Sequence, residues 1–218
     1  MSTRAFLPLL CLTLAACQSQ NPYTDEDYFA YVDGKPRYNG VRDFFASRGI
    51  TLPEGDPSDG PAAQTICGLG NRKNDLFNTV LARDGIQPYP GSRRWVDRLH
   101  ESGMAMAVVS SSRNAAAVLK AAGMVEDFSV LVDGNRSKTE RLPGKPAPDT
   151  YLRGAELLGV PAEQCVVVED AVSGVRAGAA GGFGMVLGVN RGVGADRLRE
   201  AGADRVVDDL DEMVEEMA

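Results

Sequence analysis

The sequence predicts an α/β fold built on a doubly wound parallel sheet, and two observations support this prediction. From about residue 88 onward, apolar β-branched runs alternate with helix-length amphipathic segments, which is typical of a parallel sheet with helices on both faces. One of these runs, Val166 to Val168, stops on the adjacent carboxylates Glu169 and Asp170, as expected where a buried strand ends. Because such sheets bind ligands at this carboxyl edge, we expect the functional site there.

Glycine and proline positions and the spacing of apolar residues predict the elements of this region in order. The predicted helices cover about residues 92–101, 114–122, 149–158 and 172–180. The predicted strands cover about residues 104–109, 128–132, 165–168 and 184–189, followed by a short strand at 206–207 and an acidic helix. Right-handed crossovers between parallel strands then place every strand's carboxyl end on one side.

Residues 21–87 show a different pattern, in which short helices are joined by loops. One set of apolar residues recurs at helical spacing before Gly49 and a second set before Gly85: Val41, Phe44 and Phe45, then Leu76, Phe77, Val80 and Leu81. Residues 52–62 are rich in Pro, Gly, Asp and Ser, which is the composition of a loop. We therefore predict a separate small helical domain.

Residues 1–20 form an apolar leader for which two interpretations stay open. Arg4 precedes an apolar run that extends from Ala5 to Leu14, and the small residues Ala15 and Ala16 then precede Cys17. This order resembles a bacterial lipoprotein signal, in which Cys17 would carry the lipid. At about ten to twelve residues the run is too short for a transmembrane helix. Alternatively, the segment takes the position of a first core strand.

The composition argues against some classes of function. With 30 acidic and 23 basic residues the chain has a net charge of -7, which disfavours binding to a nucleic acid backbone. The four cysteines, Cys11, Cys17, Cys67 and Cys165, are far apart and indicate neither a zinc site nor a disulfide framework. The single histidine, His100, is expected to be a surface helix residue.

Three motifs follow one another along the second half of the chain. They are VVSSSRN at 108–114, GKPAPD at 144–149 and VVVEDAVSGVRAGAAGG at 166–182. A lysine ahead of two acids suggests a phosphate beside a divalent cation, because the cation takes hard oxygen ligands and the phosphate needs a counter-charge. Together the motifs resemble the haloacid dehalogenase (HAD) superfamily of phosphotransferases, and most closely its β-phosphoglucomutase-like branch, over roughly residues 28–210.

This resemblance implies a Rossmann-like core with a helical cap, and an Mg²⁺-dependent enzyme that acts on a phosphorylated sugar as a phosphatase or a mutase. Ser110 would donate a hydrogen bond to the transferring phosphoryl group, and Asn114 would help to bind the substrate. Lys145 would neutralise the charge of the phosphate and of the nucleophile. Glu169 and Asp170 would ligate Mg²⁺, the latter directly or through water.

The resemblance also assigns roles in the cap. Residues 67–74, CGLGNRKN, match the cap loop that closes over the substrate, and Arg72 and Lys73 would contact a distal phosphate or the sugar. The alternative for Arg72 is a solvated residue in the first turn of the next helix. Gly174 and Gly178 would let a helix approach the sheet closely.

The first motif of the family, Asp-x-Asp-Gly at the end of the first strand, is not found in the sequence. Asp25, Asp27 and Asp33 are the acids nearest to this pattern, but none follows an apolar strand, so we do not expect them to be catalytic. The nucleophile is therefore unassigned. An enzyme is expected from the resemblance, and the alternative is a non-catalytic binding protein of the same fold.

In this family the first strand lies between the second and fourth strands. Without it, both neighbours would have unpaired backbone groups, each costing about 1 to 3 kcal/mol if buried. We predict that part of the segment from Leu9 to Ala16 fills the position, although Pro8 disfavours central pairing. The expected location is the cytoplasm, with a membrane anchor only if Cys17 is lipidated.

Overall fold

The computed structural model describes residues 22–216, which divide into two compact units. One unit extends to Ile86, and the other begins at Gln87. The leader, with Cys17 and the predicted first-strand segment from Leu9 to Ala16, lies outside the described residues. Among the described residues, no helix combines the length and the apolar character that a membrane span requires.

The first unit is helical. A single turn, Asp25–Asp27, continues into a π-helical turn, Tyr28–Val32, and two longer helices follow: α1, Arg37–Ser47, and α2, Ile66–Asp84. Thr65 caps α2 because its hydroxyl accepts a hydrogen bond from the Gly68 amide at 2.9 Å. The helix ends at Gly85, whose φ of +65° is a conformation that glycine adopts readily.

The core of the first unit lies between α1 and α2. Val41, Phe44 and Phe45 are buried with Ile66 and Leu69. This burial confirms the apolar face that the spacing predicts for α1. On α2 the predicted apolar face is only partly buried: Leu76, Phe77, Val80 and Leu81.

The second unit alternates helices and strands in the predicted order. Its helices are α3, Pro90–Glu101; α4, Ala115–Ala121; α5, Gly134–Glu140; α6, Asp149–Leu158; α7, Val172–Ala180; α8, Ala195–Glu200; and α9, Asp211–Glu216. Its strands are β1, Ala107–Val109; β2, Val130–Val132; β3, Val166–Glu169; β4, Met185–Val189; and β5, Arg205–Val207. Single 3-10 turns occur at Val125–Asp127 and Ala162–Gln164.

The strands form two separate parallel sheets. One has the order β1-β2 and the other β3-β4-β5. Within residues 22–216, β1 pairs with β2 alone and β3 pairs with β4 alone. These two strands are the second and fourth of the predicted sheet, so each ends a sheet on the side where the family places its first strand.

The larger sheet is covered on both faces, as the prediction of a doubly wound fold requires. Leu187, Val189 and Val207 pack with Trp95 of α3 and Met213 of α9 on one face. On the other face, Gly178 of α7 lies against the side chains of β3 and β4: a Cβ at this glycine would be 3.1 Å from both Val167 and Val186. The predicted close approach of this helix at Gly178 is therefore confirmed.

Three details of the second unit differ from the sequence prediction, and one of them is the short helix α8, which is not predicted. Strand β1 begins at Ala107 rather than at residue 104, because its partner β2 begins at Val130 and the register pairs Ala107 with Val130. Helix α5 is not predicted, because its sequence is polar and lacks an apolar period. It forms because the buried carboxylate of Asp133 caps it, accepting hydrogen bonds from the Asn135 and Arg136 amides at 3.0 and 2.9 Å.

Candidate active site

A buried ion pair lies where β3 ends. The Lys145 Nζ atom donates to the Glu169 Oε2 atom at 2.5 Å, and the two side chains are only 6% and 10% exposed. Lys145 comes from the GKPAPD loop before α6, and Glu169 is the last residue of β3. The structure therefore joins two of the predicted site residues across 24 positions of sequence.

The Glu169 carboxylate accepts four hydrogen bonds. Its Oε1 atom accepts from the backbone amides of Asp170 at 3.1 Å and Ala171 at 3.0 Å, in the turn that leads into α7. Its Oε2 atom accepts from Lys145 and from the Tyr151 hydroxyl, both at 2.5 Å. Four donors around one carboxylate fix the orientation of this side chain.

The same contacts set the ionisation of Glu169. Burial by itself would raise the pKa of the carboxyl group, but the charge of Lys145 and the hydrogen bonds from Lys145, Tyr151 and the Ala171 amide outweigh it, so the pKa lies below its ordinary value. Burial, followed by the neighbouring charge of Glu169, raises the pKa of the Tyr151 hydroxyl above its usual range. Glu169 is therefore held as an anion and Tyr151 as a neutral hydrogen-bond donor.

Gly174 makes room for the Glu169 side chain. A Cβ atom at this position of α7 would lie 2.0 Å from Glu169 Oε2 and 2.2 Å from its carboxyl carbon, closer than any real contact. The sequence predicts that Gly174 lets the helix approach the sheet, and the structure shows that what it accommodates is the side chain of the last β3 residue. Gly174 thereby allows the Glu169 side chain to take this position.

The pair Glu169 and Asp170 fits the chemistry of magnesium in its type of donor. Asp170 is exposed and follows β3 directly, so both residues bring carboxylate oxygens to the same strand end. Within the described range no group of three or more metal-binding side chains occurs. Magnesium in proteins is commonly held by one or two carboxylates, with water and substrate phosphate completing its shell. The donor set is suited to that arrangement.

The loop after β1 holds Ser110 and Asn114. The Ser110 amide continues the β ladder by donating to the Val132 carbonyl at 2.9 Å, and its hydroxyl oxygen accepts from the Ser112 amide at 3.2 Å. Asn114 is the residue before α4, and its amide donates to the Ser112 hydroxyl at 3.1 Å. The structure thus places Ser110 and Asn114 in one compact turn.

This turn is fastened to the loop after β2. The Gly134 amide donates to the Ser112 carbonyl at 3.1 Å, and the Asn135 side chain donates to the Arg113 carbonyl at 3.0 Å. A Cβ at Gly134 would lie 2.7 Å from the Ser111 carbonyl oxygen, so only glycine allows the two loops to approach this closely. The backbone around Ser110 is therefore held by the same turn that Asp133 caps.

In the first unit, residues 67–74 are helical, and the prediction that they form a loop is wrong. They lie within α2, which begins directly after Thr65. The two glycines that suggest a loop serve close packing instead. A Cβ at Gly68 would lie 2.5 Å from the Ala63 carbonyl oxygen, and one at Gly70 would lie 2.8 Å from the Tyr38 ring. Arg72 and Lys73 are therefore carried on a capped helix.

A polar network fixes this part of α2. Arg37 donates to the side-chain oxygens of Asn71 at 3.2 Å and Asn74 at 2.5 Å, and the Tyr38 hydroxyl donates to Asn71 at 3.0 Å. Asn71 in turn donates to the Asp59 carbonyl at 2.9 Å. Burial lowers the pKa of Lys73, and the nearby charge of Arg37 lowers it further. The first unit therefore gathers three cationic side chains around one helical turn.

Two further observations concern residues outside the predicted site. Tyr151 is not predicted, although its position in the first turn of the helix after GKPAPD is a signal that could have identified it. Asp27 pairs with Arg48 at 2.5 Å and caps its own helical turn, while Asp33 ends the π-helical turn. Neither of these two acids follows a strand, in agreement with the sequence prediction.

Comparison with known proteins gives a consistent result. The family model for haloacid dehalogenase-like hydrolases matches residues 12–182, which begins within the leader and includes most of both units. A β-phosphoglucomutase of Mycobacterium tuberculosis is 49% identical over 191 residues, covering 86% of this chain and 73% of the relative. Hexitol phosphatase A of Escherichia coli is 33% identical over 190 residues, covering 86% of this chain and 77% of the relative.

Solved structures show the same fold. The crystal structure of a β-phosphoglucomutase from Clostridium difficile matches with a TM-score of 0.74 at 19% identity, covering 98% of this chain and 87% of that one. The α/β Rossmann-like architecture predicted from the sequence is thereby confirmed. With its motifs, its fold and its relatives in agreement, this chain belongs to the haloacid dehalogenase-like hydrolases, a family of enzymes.

Proposed function

We propose that this protein catalyses Mg²⁺-dependent phosphoryl transfer on a phosphorylated sugar, as a phosphatase or as a β-phosphoglucomutase-like mutase. The observation that carries the proposal is the buried contact between Lys145 and Glu169 at the carboxyl end of β3. It places a cation beside a carboxylate at the edge where α/β sheets bind ligands. The names of the β-phosphoglucomutase and hexitol phosphatase relatives support a sugar phosphate as the substrate.

In this proposal different residues of the second unit bind the metal ion, neutralise the phosphate charge and donate a hydrogen bond to the phosphoryl group. Glu169 and Asp170 would hold Mg²⁺, which when bound supplies positive charge and orientation for the phosphoryl group. Lys145 would neutralise phosphate charge at the same strand end. The Ser110 hydroxyl would donate a hydrogen bond to a phosphoryl oxygen. The Ser110 hydroxyl oxygen accepts a hydrogen bond from the Ser112 amide, and in this proposal its own O–H is directed to the phosphoryl group.

The first unit is proposed to determine which sugar is accepted. Arg72 and Lys73 would bind a distal phosphate or the sugar, because cationic side chains on a fixed helix can select an anionic ligand. Asn114 would contribute from the second unit. In this proposal residues 21–87 are the cap domain and residues 88–218 the catalytic core.

A non-catalytic binding protein is the second candidate, and one observation favours it. In the described part of the chain, carboxylates that follow β2 and β5 are committed to structure: Asp133 caps α5, and Asp209 pairs with Arg191 at 2.8 Å. The sequence also contains no Asp-x-Asp-Gly motif, which carries the family's aspartate nucleophile, so the nucleophile is not assigned. For either candidate we propose the cytoplasm as the location, with an anchor through a lipid on Cys17 as the alternative.

The test is hydrolysis of p-nitrophenyl phosphate and of glucose 1-phosphate by the full chain, with and without Mg²⁺. We expect turnover that requires Mg²⁺ and falls about a hundredfold or more in Lys145→Ala, since removing one charge-stabilising group costs that much in related sites. Lys120→Ala is the matched control, because Lys120 is exposed at the end of α4. Release of inorganic phosphate would indicate a phosphatase, and formation of glucose 6-phosphate a mutase.

Absence of turnover in a chain that melts cooperatively and still binds glucose 1-phosphate would favour the binding protein. The cap assignment has its own test. Arg72→Ala should raise the KM for the sugar phosphate about tenfold and leave hydrolysis of p-nitrophenyl phosphate unchanged. Arg83→Ala, at the exposed end of the same helix where Arg83 pairs with its neighbour Asp84, should change neither. Equal KM values in the two variants would contradict a substrate role for Arg72.

A further inference from the structure

Tyr151 contacts both members of the buried ion pair. It lies in the first turn of α6 and is 8% exposed. Its hydroxyl donates a hydrogen bond to Glu169 Oε2 at 2.5 Å. Its ring lies beneath the Lys145 ammonium, whose Nζ atom is 4.6 Å from the ring centroid. One side chain therefore contacts the carboxylate through its polar end and the ammonium through its aromatic face.

The Tyr151 ring is itself held in place. The ring of Phe183 packs edge-on against it, with 6.0 Å between the centroids. On the same helix, Gly154 lies so close to β1 that a Cβ would be 3.0 Å from the Val109 side chain. Helix α6 thus contacts the smaller sheet through Gly154 and the end of the larger sheet through Tyr151. These two contacts fix the position of the Tyr151 side chain relative to Glu169.

We propose that Tyr151 is a positioning residue of the site. Its hydroxyl orients the Glu169 carboxylate, and its ring holds the Lys145 ammonium in position by a cation–π contact. This inference rests on the proposed function, because it concerns the residues assigned there to Mg²⁺ and phosphate. Backbone amides fix only Oε1 of Glu169, so the direction of Oε2 depends on Lys145 and Tyr151. When Lys145 turns to a phosphate, the Tyr151 hydroxyl is the donor that keeps the carboxylate in place.

The two contacts can be separated by two substitutions. Tyr151→Phe removes the hydroxyl and keeps the ring, whereas Tyr151→Leu removes both. Loss of a partner that orients a metal-binding carboxylate typically weakens metal affinity 10- to 100-fold, so we expect about tenfold weaker Mg²⁺ binding in Tyr151→Phe. The affinity of this variant for inorganic phosphate should stay within twofold of the wild type, because the aromatic ring that contacts Lys145 is still present.

In Tyr151→Leu we expect both affinities to fall, and phosphate affinity by about 30-fold, a reduction of the size expected from losing a buried cation–π contact. The measurement is calorimetric titration of the full chain with MgCl₂ and, separately, with inorganic phosphate. Tyr89→Phe is the matched control, because Tyr89 is half-exposed in the same unit and its ring contacts Arg191 instead. Thermal melting of each variant checks that it is folded.

The possible outcomes distinguish the inference from the function on which it rests. If the wild type binds Mg²⁺, Glu169→Gln abolishes this binding and Tyr151→Phe leaves it unchanged, the positioning role is overturned while the metal site stands. Equal losses of phosphate affinity in Tyr151→Phe and Tyr151→Leu would overturn the separate role of the ring. A folded wild-type chain that binds neither Mg²⁺ nor phosphate would overturn the proposed function and this inference together.

Discussion

The Lys145 ammonium and the Glu169 carboxylate form a contact of 2.5 Å that is almost closed to solvent. Removing charges from water is costly, and such a pair is tolerated only when its remaining hydrogen-bonding capacity is satisfied. The backbone amides of Asp170 and Ala171 and the Tyr151 hydroxyl meet that requirement for Glu169. The residues proposed for catalysis are therefore also a structural element of the second unit.

Breaking this pair should destabilise the fold. We expect Lys145→Met to lower the free energy of unfolding by about 3 kcal/mol, because it leaves a buried carboxylate without its counter-charge. Arg42→Met, which breaks the exposed pair with Glu54, should cost less than about 1 kcal/mol. Urea denaturation of both variants measures the difference, and equal effects would show that burial does not strengthen the coupling.

The contribution of Glu169 to stability should depend on pH. Because the pKa of Glu169 is lower in the folded chain than its ordinary value of 4.5, the folded state favours the anion. This stabilisation is fully present above about pH 4.5 and is lost as the pH falls through the lower folded pKa. The difference in stability between the wild type and Glu169→Gln should therefore be constant from pH 7 to about pH 5 and shrink below. A difference that grows on acidification would contradict this sign.

Gly174 should not tolerate a side chain. Gly174→Ala would place a methyl group 2.0 Å from Glu169 Oε2, so either the carboxylate or α7 must move. We expect a loss of stability of about 1 to 3 kcal/mol, the usual cost of overpacking. Gly60→Ala is the control, since a Cβ there meets nothing within 4 Å, and it should be neutral or slightly stabilising. Thermal unfolding of the two variants tests the prediction, which a stable Gly174→Ala would refute.

Removing the N-terminal cap of α5 should destabilise the turn that holds Ser110. Asp133→Ala removes the acceptor for the Asn135 and Arg136 amides, and we expect a loss of about 1 to 2 kcal/mol. Faster amide exchange at Gly134, which is bonded to Ser112, should accompany it. Asp196→Ala, at an exposed helix start, should change exchange only locally. Unaltered exchange at Gly134 in Asp133→Ala would show that the loops are held independently of the cap.

Much of the fold could be predicted because its signals are local. Each of these signals spans only a few residues of sequence: the apolar runs of β3 and β4, the helical spacing of Val41, Phe44 and Phe45, and the carboxylates that end β3. Where the local signal is ambiguous, prediction failed. Gly68 and Gly70 suggest a loop, yet they lie in α2, because their lack of a side chain is used for packing against Ala63 and Tyr38.

The sequence by itself determined the family, the order of the strands along the second unit, and which residues stand at the strand ends. Only the tertiary structure decided that Lys145 and Tyr151 share one oxygen of Glu169, and that Gly174 exists to accommodate this carboxylate. These contacts join positions 24 and 18 residues apart. They depend on how α6 and α7 pack around the end of β3, and that packing is set by the burial of whole helix faces, which no single motif records.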